Sequence, residues 1–454
     1  MKLENGTRKS GVRSRNAVVR AVPAIGRRGA FLLAAAALFA QPATPPQLTL
    51  ADATAMALKN HPRVLAAQNE TAAQNQRIVE QRSAYFPTVN GDLTGSAANI
   101  GARIGAGFIS TSRLFDRFGD GIQINQLITD FGRTPNLVAQ SRLQAGASQQ
   151  DYQAARYDVV LAVNQAYYEA QRAQELVKVA RKTVEARQSL STQVSELAKN
   201  NLRSQLDVSF ADVNVAKAQL LVIQTQNAVT ASFAQLARAL GTQQIVAYQL
   251  VAEPLPPSPQ PDVEALVVQA LQNRPELASY RLTREAAYRL VRAEHDLKLP
   301  TASFVGVGGY LPYVDQITLP RVIPQEYAGA AVNVQIPIFN GHLFTAREEE
   351  AHYRALEADQ KLRDLEESVA RDVRTAWANA QTAYQNIDVT AQYLRAAADA
   401  LKLSQGRYQL GLADIVALTD AELNETEAEI ESTNAKYDYQ NLNAALQYTI
   451  GALR

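Results

Sequence analysis

The 454-residue chain contains no cysteine. This absence excludes disulfide bonds, thiolate metal ligands, a cysteine nucleophile and a lipid-bearing cysteine at a processed N-terminus. Histidine is scarce, and the nearest pair, His342 and His352, is ten residues apart, so the two rings face different sides of a helix and match no zinc-binding spacing. No phosphate-binding glycine loop or nucleophile elbow is present. We therefore expect no metal, no cofactor and no catalytic site.

Long hydrophobic runs are also missing, although 47% of the residues are hydrophobic. The alanine-rich run at 30–40 has 11 residues, whereas a membrane-spanning helix needs about 20. Eight basic residues and one acidic residue precede it. This pattern predicts a signal peptide over residues 1–40, with a buried N-terminal helix as the alternative. Its removal leaves 37 basic and 43 acidic residues, a net charge of −6, which argues against a nucleic-acid partner.

The chain carries the same pattern twice. The stretch ALKNHP at 57–62 reappears as ALQNRP at 270–275, and in both places a second proline lies 25 positions after the first. A proline-rich segment separates the two copies, as expected of a linker. The sequence therefore predicts a duplicated protein. Its parts are a first repeat at 41–251, a linker at 252–262 and a second repeat at 263–454.

Both repeats show the same order of hydrophobic periods. Alternating polar and apolar residues predict two strands per repeat, in hairpins at 88–130 and 301–340. Apolar residues then recur in steps of four and three from Val369 to Tyr408. This favours a coiled coil over an ordinary amphipathic helix, and Arg187 is the one fault in the equivalent series of the first repeat. Long helices are expected at 134–200 and 342–410, and returning helices at 205–240 and 414–450.

Helix lengths predict how these elements are arranged. A helix of about 65 residues spans roughly 100 Å. The returning helix and the helix after the first proline together match that length, so we expect two short helices stacked end to end beside each long one. The strands then lie at one end and the tight turns at the other. Four strands leave open edges, so several chains are expected to pool them. The alternation suits a membrane barrel with a wet lumen; a soluble β-rich cap is the alternative.

The chain resembles the TolC-type outer-membrane efflux proteins, in their unacylated branch. The resemblance rests on LTLADATAMALKNHP at 48–62, on ITDFGR and IPIFNG before the long helices, and on YQLGLADIVAL at 408–418. It implies a mixed α and β membrane protein, a homotrimer in which four strands per chain form a twelve-stranded outer-membrane barrel. A coiled-coil helical tunnel would continue the barrel across the periplasm.

The implied function is the exit duct of a tripartite efflux or type I secretion system, and not an enzyme. The resemblance implies three kinds of partner besides the other two copies: a periplasmic adaptor (membrane fusion) protein, an inner-membrane transporter of the RND, MFS or ABC type, and outer-membrane lipid. A non-conducting coiled-coil scaffold of the envelope is the alternative.

The resemblance also implies two functional regions at the turns. Adaptors of this family engage the tips, which here comprise Asn201, Leu202, Arg203 and Ser204 in the first repeat and Gly411, Leu412 and Ala413 in the second. The family narrows its duct with a tyrosine, an arginine and two aspartates. The tyrosine matches Tyr408 and one aspartate matches Asp420, but the arginine position holds Ala413. We expect a periplasmic gate of Asp420, Asp414, Tyr408 and Asp207, with a merely solvated Asp420 as the alternative.

Overall fold

The computed structural model describes residues 46–96, 117–314 and 325–453, and the predicted signal peptide lies outside them. The same series of elements occurs twice along the chain. The first series is β1 (Gln47–Leu48), α1 (Leu50–Asn60), α2 (Pro62–Arg82), β2 (Thr88–Ser96), β3 (Arg117–Thr129), α3 (Arg133–Lys199) and α4 (Gln205–Ala239). The second series is β4 (Gln249–Leu250), α5 (Val263–Asn273), α6 (Pro275–His295), β5 (Thr301–Val314), β6 (Glu326–Gln335), α7 (Leu343–Gln409) and α8 (Ile415–Thr449).

The short helices stack end to end, as expected from their lengths. Gly241, with φ of 73°, ends α4 against the start of α2, where an added Cβ would lie 2.8 Å from the Cα of His61. Gly451, with φ of 70°, ends α8 against Asn273 and Arg274, at the start of α6, in the same way. Only glycine combines a positive φ with so close an approach of two backbones. Each pair of short helices therefore forms one interrupted column beside a long helix.

The helices lie side by side in a fixed order: α2 with α4, then α3, then α6 with α8, then α7. Alanine and valine fill the interfaces, among them Val163, Ala170, Val373 and Ala380, which are buried. Small side chains at heptad spacing let the helix axes approach closely. The predicted coiled-coil packing is confirmed. None of the helices in the described part of the chain is long and apolar enough to cross a membrane.

The four longer strands form one antiparallel sheet in the order β2-β3-β5-β6. One face is mostly polar, with Thr88, Asn90, Asp92, Gln123, Asn125, Asn333 and Gln335, although Val305 and Val307 also lie on it. The other face is apolar and exposed, with Val89, Leu93, Ile122, Ile124 and Val332. The strand with the weakest alternation in the sequence, β5, is the longest and pairs on both sides. Gly306, Gly308 and Gly309 interrupt the alternation because they have no side chain, and they also let the neighbouring strands approach closely.

The proline-rich linker is a strap held against three helix columns. The Gln171 amide of α3 donates to the carbonyl of Val251 at 2.5 Å, and the Gln440 amide of α8 donates to that of Glu253 at 3.2 Å. The only tryptophan of the chain, Trp377 of α7, donates its indole N–H to the carbonyl of Gln260 at 2.7 Å. Proline lacks an N–H, so this segment cannot pair as a regular strand, and its backbone carbonyls instead accept hydrogen bonds from side chains of the helices.

Candidate functional site

The two tips are built in the same way. Each long helix ends with a residue in the left-handed conformation, Asn201 with φ of 58° and Gly411 with φ of 73°. The backbone N–H of the following residue then donates a hydrogen bond back to the helix. Leu202 donates to the carbonyl of Leu197 at 2.9 Å, and Leu412 donates to the carbonyl of Arg407 at 2.8 Å. This is the hydrogen-bond pattern of a Schellman cap. Duplicated sequence therefore gives duplicated turn geometry.

Two of the predicted gate carboxylates cap the returning helices. Ser204 and Asp207 form a capping box, in which the Ser204 hydroxyl accepts from the Asp207 amide at 3.2 Å and the Asp207 carboxylate accepts from the Ser204 amide at 3.3 Å. In the second tip, the Asp414 carboxylate accepts from the Ala417 amide at 2.8 Å. Such caps typically stabilise a helix by about 1 kcal/mol. Both aspartates hold the shape of the tips.

Each tip exposes leucine side chains. Leu202 and Leu412, at equivalent positions, are each 66% exposed, and Leu410 beside them is exposed as well. Single exposed leucines are common, but a repeated set at one end of the molecule forms an apolar surface. Of the tip residues expected to dock a partner, these leucines present the most apolar surface.

One tip residue joins the two hairpins instead. The Arg203 guanidinium lies 4.3 Å from the ring centroid of Tyr408 and donates a hydrogen bond to the Tyr408 carbonyl. Tyr408 is only 2% exposed. Burial raises the pKa of its phenol; the positive charge of Arg203 opposes this rise and the negative charge of Asp207 adds to it. We call Arg203 and Tyr408 the tip clamp. Arg203 occupies the position in the first repeat that is equivalent to Ala413 in the second.

Asp420 stands apart from the tip clamp. It is exposed on α8 and forms no ion pair among the described residues. The structure thus brings Arg203, Tyr408 and Asp207 together, and leaves Asp420 on an open helix face.

A row of ion pairs along the seam between α3 and α8 was not expected from the sequence. It comprises Arg187–Glu422, Lys182–Glu429 at 3.0 Å and Arg172–Asp438 at 3.3 Å. Every cation belongs to α3 and every carboxylate to α8. The Arg187 and Glu422 side chains are only 5% and 8% exposed, and burial lowers the pKa of Arg187 and raises that of Glu422. The sequence identifies Arg187 as a break in the heptad series, but it does not indicate which helix faces this residue.

The described residues thus form two helical hairpins joined by a polar seam, with a half-apolar sheet at the far end. Residues 54–242 and 266–452 each match the outer membrane efflux protein family. The chain belongs to this family. The two matched segments are the two repeats, so the family assignment covers both halves of the molecule.

Individual relatives are similar over most of their length. The chain is 24% identical to the outer membrane protein TolC of Vibrio cholerae, over 89% of this chain and 91% of the relative. It is 23% identical to protein CyaE of Bordetella pertussis, over 89% and 85%. Among solved structures, the CmeC outer membrane channel of Campylobacter jejuni superposes with a TM-score of 0.74 at 18% identity, covering 89% of this chain and 85% of that one.

The family and the fold are those of channel proteins. The chain is an outer-membrane exit duct for efflux or type I secretion, and it extends into the periplasm. Members of the family act as trimers together with periplasmic adaptors and inner-membrane transporters.

Proposed function

We propose that three copies of this chain close into a twelve-stranded barrel continued by a helical tunnel. The sheet supports this, because in the described part of the chain β2 pairs only with β3 and β6 pairs only with β5. One open edge therefore belongs to the first repeat and the other to the second. Pairing β2 of one copy with β6 of the next removes both edges. Closure with the polar face inward gives a wet lumen and an apolar exterior.

The helices have matching open edges. On the first-repeat edge, α4 exposes an apolar stripe of Leu206, Phe210, Val213, Leu220 and Ile223. On the second-repeat edge, α7 exposes Val389, Tyr393 and Leu403, at spacings of four and ten residues that fit the same repeat of four and three. Packing α4 of one copy on α7 of the next is a head-to-tail contact that closes a ring. The open edges of the sheet and of the helices are thus compatible with the same neighbouring copy, and this compatibility is the main support for the proposal.

The absence of native cysteine allows a direct test. Counted from the tips, Phe210 on α4 lies level with Leu403 on α7. In one chain these residues lie on opposite edges, so a disulfide between Phe210→Cys and Leu403→Cys joins two copies. Oxidised double-cysteine protein should run as a covalent trimer on a denaturing gel, and each single variant as a monomer. Exclusively monomeric oxidised protein would contradict the ring.

For partners, we propose an adaptor docked on the apolar tips and an inner-membrane transporter of the RND, MFS or ABC type. The exposed leucines support this, because apolar groups at the centre of an interface supply most of its binding energy. The duct itself carries no catalytic step. A purified trimer that forms but does not conduct in a lipid bilayer would favour the envelope scaffold.

We further propose that the tip clamp and Asp420 form the periplasmic gate, with Asp414 and Asp207 holding the turns. The clamp ties the first tip to the second, and three copies of Asp420 around the axis would favour cations. Arg203→Ala should raise the resting conductance, while Asp420→Ala should relieve block by a divalent ion added from the periplasmic side. Arg203→Lys is the control, because it keeps the positive charge but removes the planar guanidinium that stacks on the Tyr408 ring. Unchanged recordings in Arg203→Ala and Asp420→Ala would contradict the assignment.

A further inference from the structure

One row across the sheet combines a carboxylate, two glycines and a tyrosine. Asp92 of β2 pairs with Gly121 of β3, Gly121 with Gly309 of β5, and Gly309 with Tyr327 of β6. All four lie on the polar face, with Asn90, Thr94 and Gln123. The two glycines leave the middle of the row without side chains, so the strand backbones form a shallow floor between Asp92 and Tyr327.

The Tyr327 side chain lies over this floor. A Cβ added at Gly309 would lie 2.5 Å from the phenol oxygen and 2.6 Å from the ring carbon that bears it, and a Cβ at Gly121 would also meet the phenol oxygen. The side chain therefore reaches from β6 over β5 toward β3. Its phenol end lies over the two glycines on the polar side of the sheet, and the residue as a whole is exposed.

A recess of about 330 Å³ lies beside the ring, and its lining includes Asp92, Thr94, Gly119 and Leu311. Leu311 lies over Gly119, where an added Cβ would be 2.5 Å from its methyl group. Asp92 is exposed at the edge of this recess. A flat aromatic surface and a carboxylate thus meet at one level of the wall.

We propose that this row is a binding station for planar organic cations passing through the lumen. The inference rests on the proposed closure of the sheet with its polar face inward. A cation is attracted to the face of an aromatic ring and to a carboxylate, and a planar cation stacks on the ring while its charge lies near the carboxylate. Three copies place three stations at one level, so an organic cation meets a ring of such surfaces near the loop end of the barrel.

The experiment uses the reconstituted full-length trimer, with ethidium added on the loop side, and measures the concentration that blocks half of the single-channel current. Tyr327→Leu and Asp92→Asn should each raise this concentration about tenfold. Tyr327→Phe should not, because it keeps the ring. The matched controls are Tyr310→Leu and Glu326→Gln. Tyr310 is 40% exposed against 42% for Tyr327, and Tyr310 pairs on the opposite face with Glu326, which does not line the recess.

Each outcome decides a different point. Weaker block in the polar-face variants alone, all of them still trimeric, supports the station. Wild-type block in every variant, or no block of a conducting wild-type channel, overturns the station and leaves the duct intact. Weaker block in the Tyr310 and Glu326 variants instead means that the other face lines the lumen, which overturns the proposed closure together with the station.

Discussion

The helices α3 and α7 have the same length, 67 residues, and occupy equivalent places in the two repeats, yet they differ in burial. Within one chain α3 buries 23 side chains and α7 buries nine. The difference follows from position, since α3 lies between two columns and α7 has a column on one side only. The two equivalent helices are therefore unequally buried within one chain, and the uncovered side of α7 is the surface that the proposed ring would cover.

The largest expected effect comes from placing charge on that uncovered side. Leu403→Glu would bury three unpaired carboxylates in the closed ring, at a cost of several kcal/mol each. We expect loss of the trimer, measured by light scattering in detergent. Lys402→Glu, at the neighbouring exposed position, should leave the trimer intact. A stable trimer in Leu403→Glu would show that α7 is not the contact edge.

The next effect separates the tips from the edges. Leu412→Glu should abolish efflux in cells while trimer and barrel remain, because a charge at an apolar contact must be desolvated. Resistance of cells to an exported compound measures this, with heat-dependent gel mobility to verify the trimer. Leu202→Glu tests whether both tips dock equally. Full resistance in both variants would remove the tips as docking sites.

A smaller effect is expected at the ion pairs between α3 and α8, which have no equivalent at the matched position of α7. Arg187 of α3 corresponds to Ala397 of α7, which is buried without a charge. Glu422→Gln should lower stability by about 3–5 kcal/mol, because it leaves the Arg187 charge buried and unpaired. The double variant Arg187→Leu/Glu422→Leu should recover most of the loss. The midpoint temperature of trimer dissociation measures the stability of both variants. Equal midpoints for wild type and Glu422→Gln would show that the Arg187–Glu422 pair does not contribute to stability.

The smallest effect concerns a pair found only in the second repeat. The hydroxyl of Tyr288, then Arg284, lower the pKa of Asp359 on α7; the position 210 residues earlier on α3 is Gln149. A carboxylate with a depressed folded-state pKa stabilises the fold above its unfolded pKa of about 3.9, and the contribution is lost as pH falls through the folded value. Because the pair is partly exposed, we expect less than 1 kcal/mol. Thermal melts at pH 3 and pH 6 should show a smaller pH dependence in Asp359→Asn.

Much of the fold followed from periodicity. The heptad steps from Val369 to Tyr408 and the alternation in β2 and β6 are local signals, and local signals predict elements well. The tip clamp was not predictable, because Arg203 and Tyr408 are 205 positions apart and belong to different hairpins.

The sequence by itself determined the duplication and the order of the elements, since both depend on spacing and periodicity along the chain. Only the tertiary structure decided which helix faces Arg187, which tip supplies the arginine against Tyr408, and that Tyr327 lies across two glycines of other strands. Those contacts join residues far apart in the chain, and their partners are chosen by the packing of neighbouring columns and by strand register, which no local pattern specifies.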